Sequence, residues 1–307
     1  MNILSIQVDA SAGQGMRLDR YCAMKEKSIT RSRLKMAAIK ISINGKVSRL
    51  GKMVKSGDLI EIEWEDPVPD HIEAEQIPLD ILFENDSVTV VNKPQGMVTH
   101  PAAGNWKGTL VNALLFHWGQ HRKENNLRPG IVHRLDKDTS GVIITARTPE
   151  AESFLQAEFA NRAAKKQYVA ILQGTPKALT GDIKTRIVRD PGNRKRFACT
   201  DKQEAGKFAH TGYRVVRQYG PYTLVVFSLF TGRTHQLRVH SKYLGAPILG
   251  DPVYGKKDRV FTDATLMLHA YKLSIHLPGN PRRTLFCAPL PCRFRQILDR
   301  LKELYPQ

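Results

Sequence analysis

The stretch Arg128-Pro-Gly-Ile-Val-His-Arg-Leu-Asp-Lys-Asp-Thr-Ser-Gly141 sets one carboxylate, Asp136, among Arg134, Lys137, Thr139 and Ser140, between two glycines. Apolar residues flank it, Ile131-Val132 before and Val142-Ile-Ile144 after. The polar run therefore reads as a turn that delivers side chains to a cleft between two strands. On composition alone an ordinary surface turn would fit equally well.

Outward from this turn, the chain beyond residue 79 is strand-rich. Residues 81–83, 88–91, 142–145, 168–172, 224–230 and 273–275 read as strands, and 109–116, 150–161 and 236–243 as helices. There is no regular strand-helix alternation and no Gly-rich nucleotide loop. The expected fold class is α+β, a mixed and mainly antiparallel sheet with flanking helices and a central cleft, neither a Rossmann domain nor a barrel.

At 307 residues the chain can hold one large core and a small module. Its net charge of +18, with 47 Lys and Arg against 29 Asp and Glu, points to a polyanion or an anionic membrane. No apolar run has the length to cross a bilayer, and the N-terminus lacks a basic flank with an apolar signal segment. The expectation is a cytoplasmic protein that binds nucleic acid. The four cysteines, Cys22, Cys199, Cys287 and Cys292, are too scattered for a disulfide framework or a zinc site. No metal is expected, nor an obligate protein partner, and a monomer is the default.

The charge is uneven. Residues 1–60 carry 12 basic and 4 acidic residues, whereas 61–86 carry 10 acidic and no basic ones. This divides the chain into a small basic domain over 15–64, an acidic linker over 65–78 containing Pro67, Pro69 and Pro78, and a large domain over 79–307. In the small domain, Arg17-Leu-Asp-Arg-Tyr21 opens a helix, and Ser28 or Thr30 caps a second one running from Arg31 to Ile39. A hairpin around Asn44-Gly45 and a turn into a strand near residue 59 follow. Arg31, Arg33, Lys35, Lys40 and Lys46 are candidate phosphate contacts, which position RNA without reading its sequence; the plainer alternative is a charged, solvated face. Residues 184–207 add Arg186, Arg189, Arg194, Lys195, Arg196 and Lys202 around Pro191-Gly192-Asn193. They read as a mobile basic loop that clamps a polyanionic backbone, or as a solvated hairpin.

As a whole string, His133-Arg-Leu-Asp136 with Asp138-Thr-Ser-Gly141 resembles the signature of the RluA/RluD-type RNA pseudouridine synthases. Asn92-Lys-Pro94, Gly96, His100-Pro101 and Gly108-Thr-Leu-Val-Asn112 are similar to that family's approach to the signature. Lys166-Gln-Tyr168, Thr231-Gly-Arg-Thr-His-Gln-Leu-Arg-Val-His240, Leu249-Gly-Asp-Pro-Val-Tyr-Gly255 and Leu268-His-Ala270 follow in the family's order. This likeness covers roughly residues 75–290, and a second one, to the S4 RNA-binding module, roughly 15–64. At Thr265-Leu-Met267 the chain departs from relatives that carry a basic residue there, which removes the ground for a phosphate contact at that position.

The resemblance implies isomerisation of uridine to pseudouridine in RNA, most similar to the branch acting on large-subunit ribosomal RNA. A tRNA substrate, or a noncatalytic role in ribosome assembly, is the alternative. The reaction breaks the bond from N1 to the sugar, turns the base and rejoins it through C5. It has no net redox change, so no cofactor is required. Asp136 is implied as the essential carboxylate. Attack on the sugar, addition to C6 and abstraction of a sugar proton all remain open for it. Arg238 is implied as its cationic partner, held in a bidentate geometry, with Arg233 in reserve. Tyr168 is implied as the base platform and proton relay. Arg134 is implied as the residue that fills the space of a flipped base. His133, Thr139, Asn92, Lys93 and His235 are implied as support for the catalytic loop.

Overall fold

The computed structural model describes residues 2–10, 15–26, 31, 34, 38–64, 72–102, 105–119, 129–193, 196–200, 202 and 204–306. Arg33, Lys35, Arg194 and Lys195 lie outside the described residues, as does most of the acidic segment read as a linker. The chain divides into two compact units, residues 1–72 with 102–106, and residues 73–101 with 107–307. Among the described residues no helix is long and apolar enough to cross a membrane.

In the smaller unit, β1 (Asn2–Gln7), β6 (Leu59–Trp64), β3 (Ala38–Ile43) and β4 (Lys46–Val47) form a four-stranded sheet in that order. β2 (Met16–Arg17) pairs with β5 (Met53–Val54) beside α1 (Leu18–Lys25). Leu18, Tyr21, Cys22, Leu34, Val54, Ile60 and Ile62 make its core. The Asn44-Gly45 turn has φ of 53° and 72°, the left-handed pair that a tight hairpin requires. Two expectations change. The unit takes in β1, which lies ahead of residue 15. The second helix also stops short of Ile39, because the alternating Ile39, Ile41 and Ile43 belong to β3, which pairs with β6. Asp19, fully buried, is held by Arg17 (Nε to Oδ1, 3.0 Å) and Arg31 (Nη2 to Oδ2, 2.9 Å). Arg31, itself half-exposed, thus also anchors a buried carboxylate, a role beyond the phosphate contact read for it from the sequence. Lys40 lies 3.5 Å from Glu63, and Lys46 is exposed.

The larger unit carries β7 (Ile81–Glu84), β8 (Val88–Lys93), β9 (Ser140–Ala146), β10 (Lys165–Gln173), β11 (Thr180–Arg189), β12 (Phe197–Thr200), β13 (Lys207–Tyr219), β14 (Tyr222–Leu229), β15 (Leu268–His276) and β16 (Arg283–Cys287). They form a ten-stranded sheet in the order β12-β11-β13-β14-β10-β15-β9-β8-β7, with β16 against β15. Only the β15–β9 pairing among these is parallel. The mixed, mainly antiparallel α+β architecture follows the sequence reading. Helices α2 (Leu110–His117), α3 (Pro149–Ala160), α4 (Gln236–Tyr243) and α5 (Cys292–Leu304) complete the unit.

Residues 184–207, read as a mobile loop, are largely the paired strands β11 and β12. Ile183, Thr185 and Ile187 point inward while Lys184 points out, a period-two pattern obscured by the density of charge. The end of the acidic segment is likewise docked. Glu75 donates its N–H to Asn112 O (2.9 Å) and accepts from Gly108 N–H (3.0 Å), and Asn112 Nδ2 donates to Glu73 O (2.8 Å). At the parallel seam Gly141 has φ 117° opposite Ala270, where a Cβ would fall 2.2 Å from Ala270 O. Only glycine lets β9 close on β15 there.

Candidate active site

The loop before β9 is held from behind by the segment after β8. Lys93, fully buried, donates through Nζ to the carbonyls of Pro94 (2.9 Å), Met97 (2.8 Å) and Lys137 (3.3 Å). Burial lowers its pKa to about 7, against the opposing pull of Asp136 and Asp138. Gly96 N–H donates to Lys137 O (2.8 Å), Gln95 Nε2 to Asp138 O (3.0 Å) and Thr99 Oγ1 to Leu135 O (2.9 Å). Behind the loop, Arg293 donates to Ser140 Oγ (2.7 Å), which lies 2.8 Å from His269 Nδ1. The four consecutive carbonyls of Leu135, Asp136, Lys137 and Asp138 thus all accept hydrogen bonds, that of Asp136 from Thr139 N–H (3.1 Å). The carboxylate stands on a backbone with little freedom.

Asp136 opens into a cavity of about 110 Å³ whose wall includes Arg134, Thr139, Tyr168, Arg233, His235 and Arg238. Arg238, on α4, is 4% exposed. Its bidentate partner is Asp251 rather than Asp136: Nε reaches Oδ2 and Nη2 reaches Oδ1, both at 2.8 Å. Toward Asp136 it offers Nη1 alone, 3.7 Å from Oδ2. The expected pairing is thus an ion pair at longer range, because the fork is already occupied. Burial disfavours the charge on each of Arg238 and Asp251, but their mutual hydrogen bonds outweigh it, raising the arginine's pKa and lowering the aspartate's. His235 Nε2 lies 3.9 Å from the same Asp136 oxygen.

Tyr168, on β10, is 7% exposed and contributes to the cavity wall. Burial, reinforced by Asp136, pushes its phenol upward, so it keeps its hydrogen at any physiological pH. Arg134 is exposed beside the cavity. Arg233 Nε donates to Phe208 O (2.9 Å), which fixes its guanidinium between the cavity and the β11–β12 hairpin. His133 faces away: its Nε2 accepts from Ile144 N–H (3.0 Å), its ring stacks on Phe159 at 4.4 Å, and burial drops its pKa to about 3. Thr139 is buried at the cavity. Asn92 differs from expectation, since its side chain donates to Asp80 (2.8 Å), on the β7 side, and not to the catalytic loop. The alternation along β8 turns Lys93 toward the loop and its neighbour away.

Asp251, Tyr254 and Gln236 carried no role in the sequence reading. Gln236 accepts from Thr231 Oγ1 (2.8 Å) and Arg233 N–H (3.0 Å) and donates to His210 O (3.0 Å) and Thr211 Oγ1 (2.8 Å), fixing the start of α4 to β13. Tyr254 Oη accepts from Phe197 N–H (2.8 Å), and its ring lies 5.2 Å from the Arg238 guanidinium. The run Leu249 to Gly255 was visible in the sequence, but nothing local shows which arginine its aspartate meets.

The protein family described as RNA pseudouridylate synthase matches residues 87–243, just over half of the chain. The chain belongs to this family. It is 43% identical over 289 residues to a protein named ribosomal large subunit pseudouridine synthase D of Borreliella burgdorferi, covering 91% of this chain and 87% of that one. An RNA pseudouridine synthase of Chlorobaculum parvum is 42% identical, covering 94% of each chain. The structure of human RNA pseudouridylate synthase domain containing 4 superposes with a TM-score of 0.59 at 26% identity, covering 72% of this chain and 92% of that one. Family membership makes the chain an RNA pseudouridine synthase, an isomerase acting on RNA. The cavity residues Arg134, Asp136, Thr139, Tyr168, Arg233, His235 and Arg238 lie within the matched segment, whereas Asp251, Tyr254, His269 and Arg293 lie beyond it.

Proposed function

We propose that the chain isomerises uridines of large-subunit ribosomal RNA, with Asp136 as the carboxylate on which the reaction depends. The observation that carries the site assignment is the placement of Asp136 in one cavity with Tyr168 and Arg238, both largely buried. The substrate class is supported by relatives from three organisms named ribosomal large subunit pseudouridine synthase D.

Asp136 keeps its oxygens open toward the cavity, because Arg238 and His235 approach only to 3.7 Å and 3.9 Å. That suits a group that must reach the ribose or the base, whichever of the three routes it takes. The target base leaves its helix to enter, at a cost of a few kcal/mol, and Tyr168 stacks on it while Arg134 occupies the vacated space. The N-terminal unit, read as S4-like, and the β11–β12 hairpin with Arg196 supply phosphate contacts, Lys40 and Lys46 among them.

Pseudouridine mapping of ribosomal and transfer RNA from cells lacking the gene, with wild-type and D136N copies returned separately, tests this reading. Loss at large-subunit positions, restored by the wild type alone, is expected. Restoration by D136N would remove Asp136 from the chemistry, and loss confined to tRNA would overturn the substrate.

A further inference from the structure

His235 has the least comfortable backbone in the cavity wall. It sits at the start of α4 with φ 56° and ψ 19°, a left-handed conformation that a residue with a Cβ adopts only under strain. Capping does not explain the residue, since its side chain makes no cap hydrogen bond. The imidazole instead bridges two groups, with Nδ1 2.9 Å from Tyr254 Oη and Nε2 3.9 Å from Asp136 Oδ2.

The donors and acceptors around Tyr254 select one tautomer. A phenol has a single hydrogen to give, and the Tyr254 oxygen already accepts Phe197 N–H at 2.8 Å. Its hydrogen is satisfied by Nδ1. The opposite arrangement, Nδ1–H donating to the phenol, leaves the phenolic hydrogen without this partner. The imidazole proton then resides on Nε2, facing the cavity. At 3.9 Å it is not spent on Asp136.

Burial, more than the charges facing it, keeps the His235 ring neutral. Burial lowers its pKa first, Arg238 and Arg134 lower it further, and the raising influence of Asp136 and Asp251 does not overcome them. Burial likewise raises the Tyr254 phenol, so it retains its hydrogen.

Resting on the isomerase reading, we propose that His235 presents a neutral Nε2–H to the substrate and donates it to the uracil oxygen that gains charge as the base detaches, with Tyr254 as the positioning residue that holds the tautomer. When N1–C1′ breaks, its electron pair goes to the uracil and spreads over N1, O2 and O4. Nε2–H stabilises that charge by a hydrogen bond and keeps its proton. The base turns, a C5 electron pair forms the new bond to C1′, C5 releases its proton, and N1 takes one up. A neutral imidazole suits this sequence better than an imidazolium. Full proton transfer to the detached base would quench the anion whose C5 must attack, whereas a weakly acidic donor holds the charge without removing it.

The test combines kinetics with a direct view of the tautomer. Full-length wild type, H235N, H235Q and Y254F would be assayed for pseudouridine formation in single turnover, with enzyme in excess, on total RNA from cells lacking the gene. Long-range proton–nitrogen NMR on histidine-labelled protein would report the His235 tautomer. Asparagine tolerates the left-handed backbone, so H235N removes the imidazole without adding strain.

The expected results are an Nε2–H tautomer in wild type and a mixture of tautomers in Y254F. H235N should show a maximal rate lower by about 10²-fold, the size seen on removing one oxyanion donor. Its half-saturating enzyme concentration and melting temperature should stay unchanged, and H235Q, whose amide N–H reaches farther, should recover part of the rate. An Nδ1–H tautomer in wild type, or H235N turning over at the wild-type rate, overturns the role of His235 while the isomerase reading stands. A rate loss in H235N that merely tracks lost affinity or stability overturns it too. A wild type that forms no pseudouridine on any RNA overturns both readings.

Discussion

Arg238 holds Asp251 through two 2.8 Å hydrogen bonds and turns only Nη1 toward Asp136, at 3.7 Å. A guanidinium that forked Asp136 would occupy the oxygens that the substrate must meet. By committing the fork to Asp251, the fold fixes a cation beside the reacting carboxylate and leaves that carboxylate open. The positive charge is in place before substrate arrives, so it needs no reorganisation during the reaction.

Removing Asp251 should therefore disable Arg238. D251N leaves a buried guanidinium without its counter-ion, for which the expected loss is about 3–5 kcal/mol of stability, read by urea denaturation. R238K keeps the charge but cannot both fork Asp251 and face Asp136. Its expected maximal rate is about 10²-fold lower, measured as pseudouridine formed per enzyme. A D251N protein with the wild-type urea midpoint would contradict this account of the pair.

Gly141 sets how closely β9 approaches β15. G141A places a methyl group 2.2 Å from Ala270 O on a residue with φ 117°. The backbone alone should cost more than about 1 kcal/mol, and separation of the seam adds to it. A melting temperature equal to that of wild type would show that the seam yields where the geometry says it cannot.

Three histidines, His240 and His269 buried and His133 partly so, tie stability to pH. Burial lowers His133 to about 3 and His240 and His269 to about 4, whereas an unfolded histidine titrates near about 6.5. Between those values the unfolded chain binds more protons than the folded one, so stability falls as pH drops below about 6.5, by up to about 1.4 kcal/mol per pH unit for each histidine. The lowered carboxylates Asp19, Glu84 and Asp251 act only below their ordinary range, and Lys93 only above about 7. Urea unfolding at pH 7, 6 and 5 should thus show a steady decline, and a flat profile would mean that these histidines are charged in the fold.

Tyr168 is expected to act through its ring. Its phenol is pushed upward by burial and Asp136, so it supplies no phenolate near neutrality. Y168F should keep most of the activity, while Y168L should lose about 1–3 kcal/mol of stacking, or roughly 5- to 160-fold. Single-turnover rates decide this, and a Y168F protein as impaired as Y168L would restore the hydroxyl as a proton relay.

Much of this was legible in the sequence because it is local. The Asn44-Gly45 hairpin, the apolar run Val142-Ile-Ile144 of β9 and the span of α4 each follow from a few neighbouring residues. What was not legible depends on who meets whom across the sheet. Nothing in the run Leu249 to Gly255 says that Asp251 takes the fork of Arg238, thirteen residues before it. Nothing near Arg31 says that a buried aspartate claims it. The β11–β12 segment was left open between a mobile loop and a hairpin because its charged residues hide an alternation that pairing with β13 reveals.

The central claim is that Asp136 performs the chemistry in a cavity whose binding functions lie in other residues. Its most direct test is pseudouridine formation by purified wild type and D136N on large-subunit ribosomal RNA from cells lacking the gene, with RNA affinity measured alongside. D136N that binds this RNA as wild type does and converts no uridine is the expected result; D136N that forms pseudouridine at a rate near wild type would contradict it.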